Sequence, residues 1–468
     1  MPLIIPANTL STGGYTVANS CRFNDGSSDY LSRTPGSTGN QKLFTYSVWI
    51  KRGQLGSNQN IFHEYPGSGQ RSDIIFRSAD TIRVALEKEN ANQLLTNRVF
   101  RDTSAYYHIV VVYDSDNATS GDRVKLYVNG VRETSFATEE YPDSGSLSGI
   151  NTTGQHEISS YDGSGDYFDG YMAENVFIDG QALDPTSFGE FNSDSPTIWQ
   201  PIDVSGLTFG TNGFYLSYSD SADLGADSSG NSNDFTSTNL DATDQCQDSP
   251  TNNFCTLNPL AVDPGSGAST LSNGNTSVSN AGSSRCFGST LAVSKGKYYW
   301  EYKMIGVGDI VGARSIDEVA SGANLFLTSK SFGVYYDGNS KLYINGSDQG
   351  DIGVSTETTD DIAMFALDCD NNKIYIGLNG DWTTGIGNGY DTSSFGSAND
   401  FSIDSNILWT VDMSNGSSVT THSSAMNFGN PPYAITSSNA DANGYGNFEF
   451  AVPSGYYALC TKNLAEYG

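Results

Sequence analysis

The segment DLGADSSGNSNDF (223–235) gathers Asp223, Asp227, Asn231, Asn233 and Asp234 around Gly225 and Gly230. Hard oxygen donors on a turning backbone are what a calcium ion takes, so calcium is the cofactor this chain would hold if it holds one. A second cluster, YDSDNATSGD (113–122), offers Asp114, Asp116, Asn117 and Asp122. Asp, Asn and Gly also build turns through side-chain to backbone bonds without a metal, and that reading competes at both places. Tyr161, Trp199, Trp382 and Tyr390 stand in loop-rich sequence. They are the candidate ligand-binding residues, because exposed aromatics with amide and carboxylate neighbours stack on sugar rings and fix their hydroxyls. Trp49 and Trp300 alternate with polar neighbours within strand-like runs and read as core.

Catalysis finds little support. Retaining glycoside hydrolysis needs two carboxylates about 5 Å apart, and on a strand they would sit two or four residues from each other. No ExDxE or ExDxxE string occurs, and the acidic runs TEEYPD (138–143) and EKEN (87–90) read as solvated charge. GxSxG, HExxH and Gly-rich phosphate loops are also missing, so the expectation is a protein that is not an enzyme. The four histidines, His63, His108, His156 and His422, are scattered singly. His108 opens an apolar strand and reads as a core residue.

Lys plus Arg number 23 against 53 Asp plus Glu, a net charge of −30. That field repels phosphate backbones and anionic lipid, which argues against nucleic acid and membrane partners and in favour of solubility. No stretch reaches the length of a membrane-spanning helix. The start, MPLIIPANTL, lacks a basic region, and Pro2 and Pro6 interrupt its apolar residues, so it reads as a short arm rather than a signal peptide. Such an arm could dock on a neighbouring chain. Six cysteines lie far apart with no CxxC spacing and no Cys/His cluster near them, so a zinc site is not supported. Cys246 and Cys255 are the pair close enough to bridge a loop, and their disulfide state stays open.

The elements that must position these residues are strands. TYSVWIKRG (45–53) puts Tyr46, Val48 and Ile50 on one face, while AYYHIVVVYD (105–114) is apolar enough to be buried on both. RVKLYVNGVRETSF (123–136) turns at Asn129-Gly130, a pair suited to the positive φ angles of a type I′ hairpin. DPTSFGEF (184–191) predicts one helical turn, capped by Asp184 with Pro185 at its first position. The second half repeats the grammar in KGKYYWEYKMIG (295–306), SFGVYYDG (331–338) and DIAMFALDCDNNKIYIGLNGDW (361–382), and KLYING (341–346) differs from KLYVNG (125–130) at one position. At 468 residues the chain is long enough for two cores. The expected organisation is an arm over 1–14, a sandwich over 15–204, a structured connector over 205–260 that adds the strand FYLSYS (214–219) to a neighbour, and a second sandwich over 261–468.

Residues about 15–200 resemble the concanavalin A-like, laminin-G-type domain of bacteriophage particle proteins, through ANSCRFNDGSSDYLSRT (18–34), FTYSVWIKRG (44–53), YYHIVVVYD (106–114), RVKLYVNGV (123–131) and GYMAENVFIDGQALDPTSFGE (170–190). Residues about 265–466 resemble a SPRY domain, through GKYYWEY (296–302), SFGVYYDG (331–338), ALDCDNNKIYIGLNGDW (366–382), MNFGNPPYA (426–434) and GYYALCTKNL (455–464). The intervening 214–236 and 248–260 are similar to the linker between these modules in phage proteins. The resemblance implies an all-β chain of two tandem antiparallel concanavalin-like β-sandwiches of jelly-roll type. It further implies a structural protein on the exterior of a tailed phage particle, assembled in the host cytoplasm. A tail fibre or adhesin that binds host cell-surface polysaccharide is the leading expectation. A capsid decoration or joining protein that contacts only other virion structural proteins is the alternative, and a glycan depolymerase stands behind both. A homo-oligomer fits such a role, although no heptad run marks a coiled-coil stalk.

Overall fold

The computed structural model describes residues 14–65, 72–88, 91–262, 269–279, 286–304, 308–318, 328–336, 340–351, 358–382, 401–415 and 423–468. The chain divides after Thr251 into two compact units. In the first, the strands in chain order are β1 (Ser20–Phe23), β2 (Tyr30–Arg33), β3 (Leu43–Arg52), β4 (Gln59–Tyr65), β5 (Ser72–Phe76), β6 (Ile82–Lys88), β7 (Ala91–Thr96), β8 (Tyr107–Asp114) and β9 (Val124–Val128). They continue with β10 (Val131–Arg132), β11 (Phe136–Glu139), β12 (Gln155–Ile158), β13 (Gly170–Asp179), β14 (Gly189–Phe191), β15 (Trp199–Pro201), β16 (Phe214–Leu216), β17 (Thr236–Thr238) and β18 (Gln245–Cys246).

One sheet of this unit runs β10-β9-β8-β3-β13-β1-β18, with β16 also paired to β13, and the other runs β11-β7-β6-β5-β4-β12-β2-β17. Tyr46, Val48 and Ile50 of β3, together with Ile109, Val111 and Tyr113 of β8, meet Phe62, Ile74 and Val84 of the facing sheet in one buried core. The period of two that places alternate side chains on one face accounts for this division. The remaining valines of β8 point the other way: Val110 and Val112 pack with Val176, Ile178, Phe188, Val204 and Phe209 in a second buried cluster. The stretch from Phe188 to Phe209 thus covers the outer face of the first sheet, so β8 is buried on both sides, as its composition predicts. At about 1.5–3 kcal/mol per fully buried apolar side chain, this outer layer is a substantial part of the unit's stability.

The division of the chain falls earlier than the expected end of a connector at residue 260. β16 pairs with β13, β17 with β2 and β18 with β1, so residues up to Cys246 complete both sheets of the first sandwich. Leu257–Val262 pairs instead with Cys286–Val293 in the second unit. The physical reason is edge cover: β16, β17 and β18 satisfy backbone groups of strands that a shorter domain would leave open.

The second unit is again two sheets around one core. Asp309–Ser315 pairs with Ser331–Tyr336 and Trp409–Asn415, while Lys297–Lys303 pairs with Ile362–Asp368 and Ser423–Asn427. Tyr298, Trp300 and Tyr302 bury one face of their strand against Phe332, Phe365 and Met413. Both units are therefore antiparallel β-sandwiches, apart from one short parallel pairing at Tyr298 and Tyr457. Helix is confined, among the described residues, to Thr461–Tyr467 and a few 3-10 turns. One of these is Pro185–Ser187, where the Asp184 side chain accepts from the Thr186 N–H as the sequence predicts. No described helix is long and apolar enough to cross a membrane. All six cysteines are buried free thiols, Cys246 and Cys255 included.

Candidate functional site: an aromatic cleft on the first sandwich

Where β14 and β15 lie over the outer face of the first sheet, a cleft of about 340 Å³ opens beside the β9–β10 hairpin. Trp49, Arg98, Tyr106, Asn129, Phe191 and Trp199 are among its lining residues. Its floor is built from the strand interior outward. Trp49 of β3, 3% exposed, stacks on the neighbouring His108 ring of β8 with centroids 4.4 Å apart. His108 is fully buried, and burial depresses its pKa to about 3. It is therefore the neutral imidazole, and its tautomer follows from its partners. The Trp199 indole N–H, which can only donate, reaches His108 Nδ1 at 2.9 Å. The proton must then sit on Nε2, which lies 2.8 Å from Ser47 Oγ.

Trp199 is seated between two glycines. A Cβ at Gly130 would come within 2.4 Å of the indole, and one at Gly189 within 2.7 Å. Gly130 already needs its positive φ of 76° for the hairpin turn, so one residue type serves two constraints. The turn's other member, Asn129, accepts the His108 backbone N–H through Oδ1 at 2.7 Å. Phe191 meets the Trp199 ring edge-on at 4.9 Å. Two exposed large apolar side chains line it, Phe191 at 45% and Val131 at 59%, and Val99, at 52%, follows Arg98 in the chain. With Leu147 they are the exposed large hydrophobics among the described residues, and such clustering marks an interaction surface.

No carboxylate lines this cleft, and both nitrogens of His108 are committed in a buried site. Two-carboxylate hydrolysis has no reagents there. What the cleft offers is stacking area, a guanidinium and amide donors, which is binding chemistry.

The four aromatics singled out in the sequence do not converge. Trp199 is in the cleft. Tyr161 lies on the loop after β12, half-buried and edge-on to His63 of the other sheet at 4.9 Å. Trp382 belongs to the second unit, half-buried near Tyr299 at 6.3 Å. Tyr390 lies outside the described residues. Phe191, Arg98 and Tyr106 carried no signal in the sequence, and Asn129 was legible only as a turn residue.

The 223–235 segment is laced by its own hydrogen bonds. Asp227 Oδ1 accepts from the N–H groups of Tyr215 and Ser229, each at 2.9 Å, and its Oδ2 from Ser229 Oγ at 2.7 Å and the Asn233 N–H at 2.8 Å. Asp223 accepts from the Gly225 N–H and Asp234 from the Asp227 N–H. Asn231 and Asn233 donate to the carbonyls of Gly210, Thr211 and Gly213, and Arg33 donates to Asn233 Oδ1. A calcium ion would have to displace these donors and sit beside a guanidinium, so the arrangement fits turn-building better than it fits the metal. In the second cluster Asp116 pairs with Lys42 and Asp122 with Arg132. Among the described residues no group of three or more His, Cys, Asp or Glu side chains is placed to hold a metal.

Residues 25–186 match the model of the Concanavalin A-like lectin/glucanases superfamily, Laminin_G_3, about a third of the chain. No curated protein matches the chain. Among solved structures the chain is similar to the SPRY domain of human HERC1, at 17% identity and a TM-score of 0.28, covering 36% of this chain and 96% of that one. It is similar also to a protein from Bacteroides ovatus ATCC 8483 to which carbohydrate binding is ascribed, at 17% identity and a TM-score of 0.26, covering 37% of this chain and 46% of that one. A third is the native heptameric SAP-like pentraxin from Limulus polyphemus, at 16% identity and a TM-score of 0.28, covering 36% and 80%. The family match thus falls within the first sandwich, the one that carries the cleft.

Proposed function

We propose that this chain is a non-enzymatic glycan-binding protein, with the cleft around Trp199 and Phe191 as its sugar site. The observation that carries the reading is the coincidence of aromatic faces, exposed apolar rim and amide donors in one concavity that holds no carboxylate. The match of residues 25–186 to a lectin and glucanase superfamily supports it without specifying a ligand. The sequence resemblance supports a place on the exterior of a tailed phage particle, as a tail fibre or adhesin meeting host polysaccharide.

Glycan-array binding by the full chain tests the site. Wild-type protein should bind a defined set of sugars, and Phe191→Ala should weaken that binding about tenfold, as expected for loss of one aromatic contact of 1–2 kcal/mol. Its melting temperature should fall only slightly, because Phe191 is 45% exposed and loses one edge-on contact with Trp199. Absence of all glycan binding, together with assembly onto isolated phage particles, would favour the decoration role, in which the same apolar rim docks on another virion subunit.

A further inference from the structure

We infer that the cleft selects an acidic sugar, one bearing a carboxylate or sulfate next to the ring that packs on Phe191 and Trp199, and that Arg98 is the residue that selects it. This rests on the glycan-binding reading of the same cleft. The argument starts from how the first sandwich uses its cations. Arg22, Lys51, Arg52, Arg83 and Arg101 are each set against an aspartate. Arg33 and Arg123 donate to amide or carbonyl oxygens. In a chain with 53 acidic residues, finding a partner is easy. Arg98 has none among the described residues.

Its position is nonetheless held. The guanidinium carbon lies 5.2 Å from the centroid of the Phe100 ring, and Phe100 is itself fully buried. A cation resting on a fixed aromatic face is oriented before any ligand arrives, so less side-chain entropy is lost on binding. The group is exposed, lines the cleft and faces no carboxylate in its lining. A planar fork of donors of this kind matches a carboxylate or sulfate through paired charge-assisted hydrogen bonds. Asn129 adds a donor: its Oδ1 is occupied by the His108 N–H, and its Nδ2 has no acceptor among the described residues.

The net charge of −30 opposes an anionic ligand at long range. Screening limits that opposition to about 8 Å at physiological salt, so the local cation decides the outcome at contact. The separation of roles is then simple. Aromatic rings supply ring contact for any pyranose, and Arg98 adds the preference for charge.

Calorimetric titration of the full chain with three probes of matched length tests this: oligogalacturonate, a sulfated carrageenan oligosaccharide and a neutral cello-oligosaccharide. At least one acidic probe should bind more tightly than the neutral one. Arg98→Gln should reduce that preference about tenfold, and Arg98→Lys should restore only part of it. Equal affinity for acidic and neutral probes, or undiminished acidic binding by Arg98→Gln, overturns the assignment while leaving the sugar site intact. Binding of no probe by wild-type protein overturns the sugar site and this inference together.

Discussion

Two hairpins built from nearly the same six residues show where local rules end. KLYVNG (125–130) and KLYING (341–346) both turn through Asn and Gly at positive φ, 50° and 76° in the first and 49° and 78° in the second. In each, the Asn N–H donates to a carbonyl of the neighbouring strand and the Asn Oδ1 accepts the N–H of the same residue. That residue is His108 in the first sandwich and Ser331 in the second. Asn379-Gly380 repeats the device against Ile362. The backbone geometry is thus one solution used three times. What differs is the load: the first turn carries an indole on its glycine, and its asparagine bonds the backbone of His108, whose buried ring accepts from that indole, so a cleft opens beside it.

Substituting the two turn glycines should separate load from geometry. Gly346→Ala pays the left-handed backbone cost of about 1–2 kcal/mol. Gly130→Ala pays the same cost and also drives a methyl into the Trp199 ring, for a total loss of about 3 kcal/mol or more in denaturant unfolding. Equal losses would show that the indole yields freely and is not a fixed part of the cleft.

A smaller effect isolates the hydrogen bond beneath the cleft. Trp199→Phe keeps an aromatic ring but leaves the buried His108 Nδ1 without its donor, and should cost about 1–3 kcal/mol. The same variant should raise the His108 pKa, read by the imidazole resonances in NMR titration, because the neutral form loses the bond that favours it.

Acid supplies the third contrast, since Ser331 cannot titrate. The folded-state pKa of His108, about 3, lies below the unfolded value of about 6.5. Between those limits the unfolded chain binds more protons, so the contribution of His108 is complete above pH 6.5 and is lost as the pH falls toward 3. The loss is at most about 1.4 kcal/mol per pH unit. Protonation also sets two donors face to face and releases the Trp199 indole. The difference in tryptophan emission between wild type and Trp199→Phe should therefore hold steady down to about pH 4 and change as folded His108 titrates near pH 3. A change already complete at pH 5 would contradict a buried, neutral His108. Glu174 works in the opposite direction. It sits in a bulge of β13, and burial raises its pKa to about 7 despite bonds from the Tyr215 and Tyr15 hydroxyls. Its contribution is complete below about pH 4.5 and is lost as the pH rises through 7, so Glu174→Gln should flatten any decline in melting temperature across pH 4.5–7.

Much of the fold was legible because strands announce themselves by period. Alternation over 45–50, a doubly apolar run over 107–113, Asn-Gly turns and the Asp184 cap each rest on contacts close in sequence or on one face of one strand. The junction was harder to read. β16, β17 and β18 are two or three residues long, and short strands are defined by the edge they pair with rather than by their own pattern.

The candidate site was less legible still. Trp199 stood out by type, but Arg98 from the segment after β7, Asn129 from the β9–β10 turn and Phe191 from β14 meet only because β14 and β15 are laid across the outer face of the first sheet. Likewise the oxygen-rich run over 223–235 has a composition that suits calcium, and only the fold shows that both carboxylate oxygens of Asp227 accept from neighbouring N–H groups. The sequence by itself determined an acidic, antiparallel β protein with two cores, since charge count, alternation and turn chemistry are properties of residues and their near neighbours. Only tertiary structure decided which aromatic is seated on a glycine, which arginine lines the cleft without a bonded partner among the described residues and which oxygens accept from neighbouring N–H groups, because those depend on residues far apart in the chain.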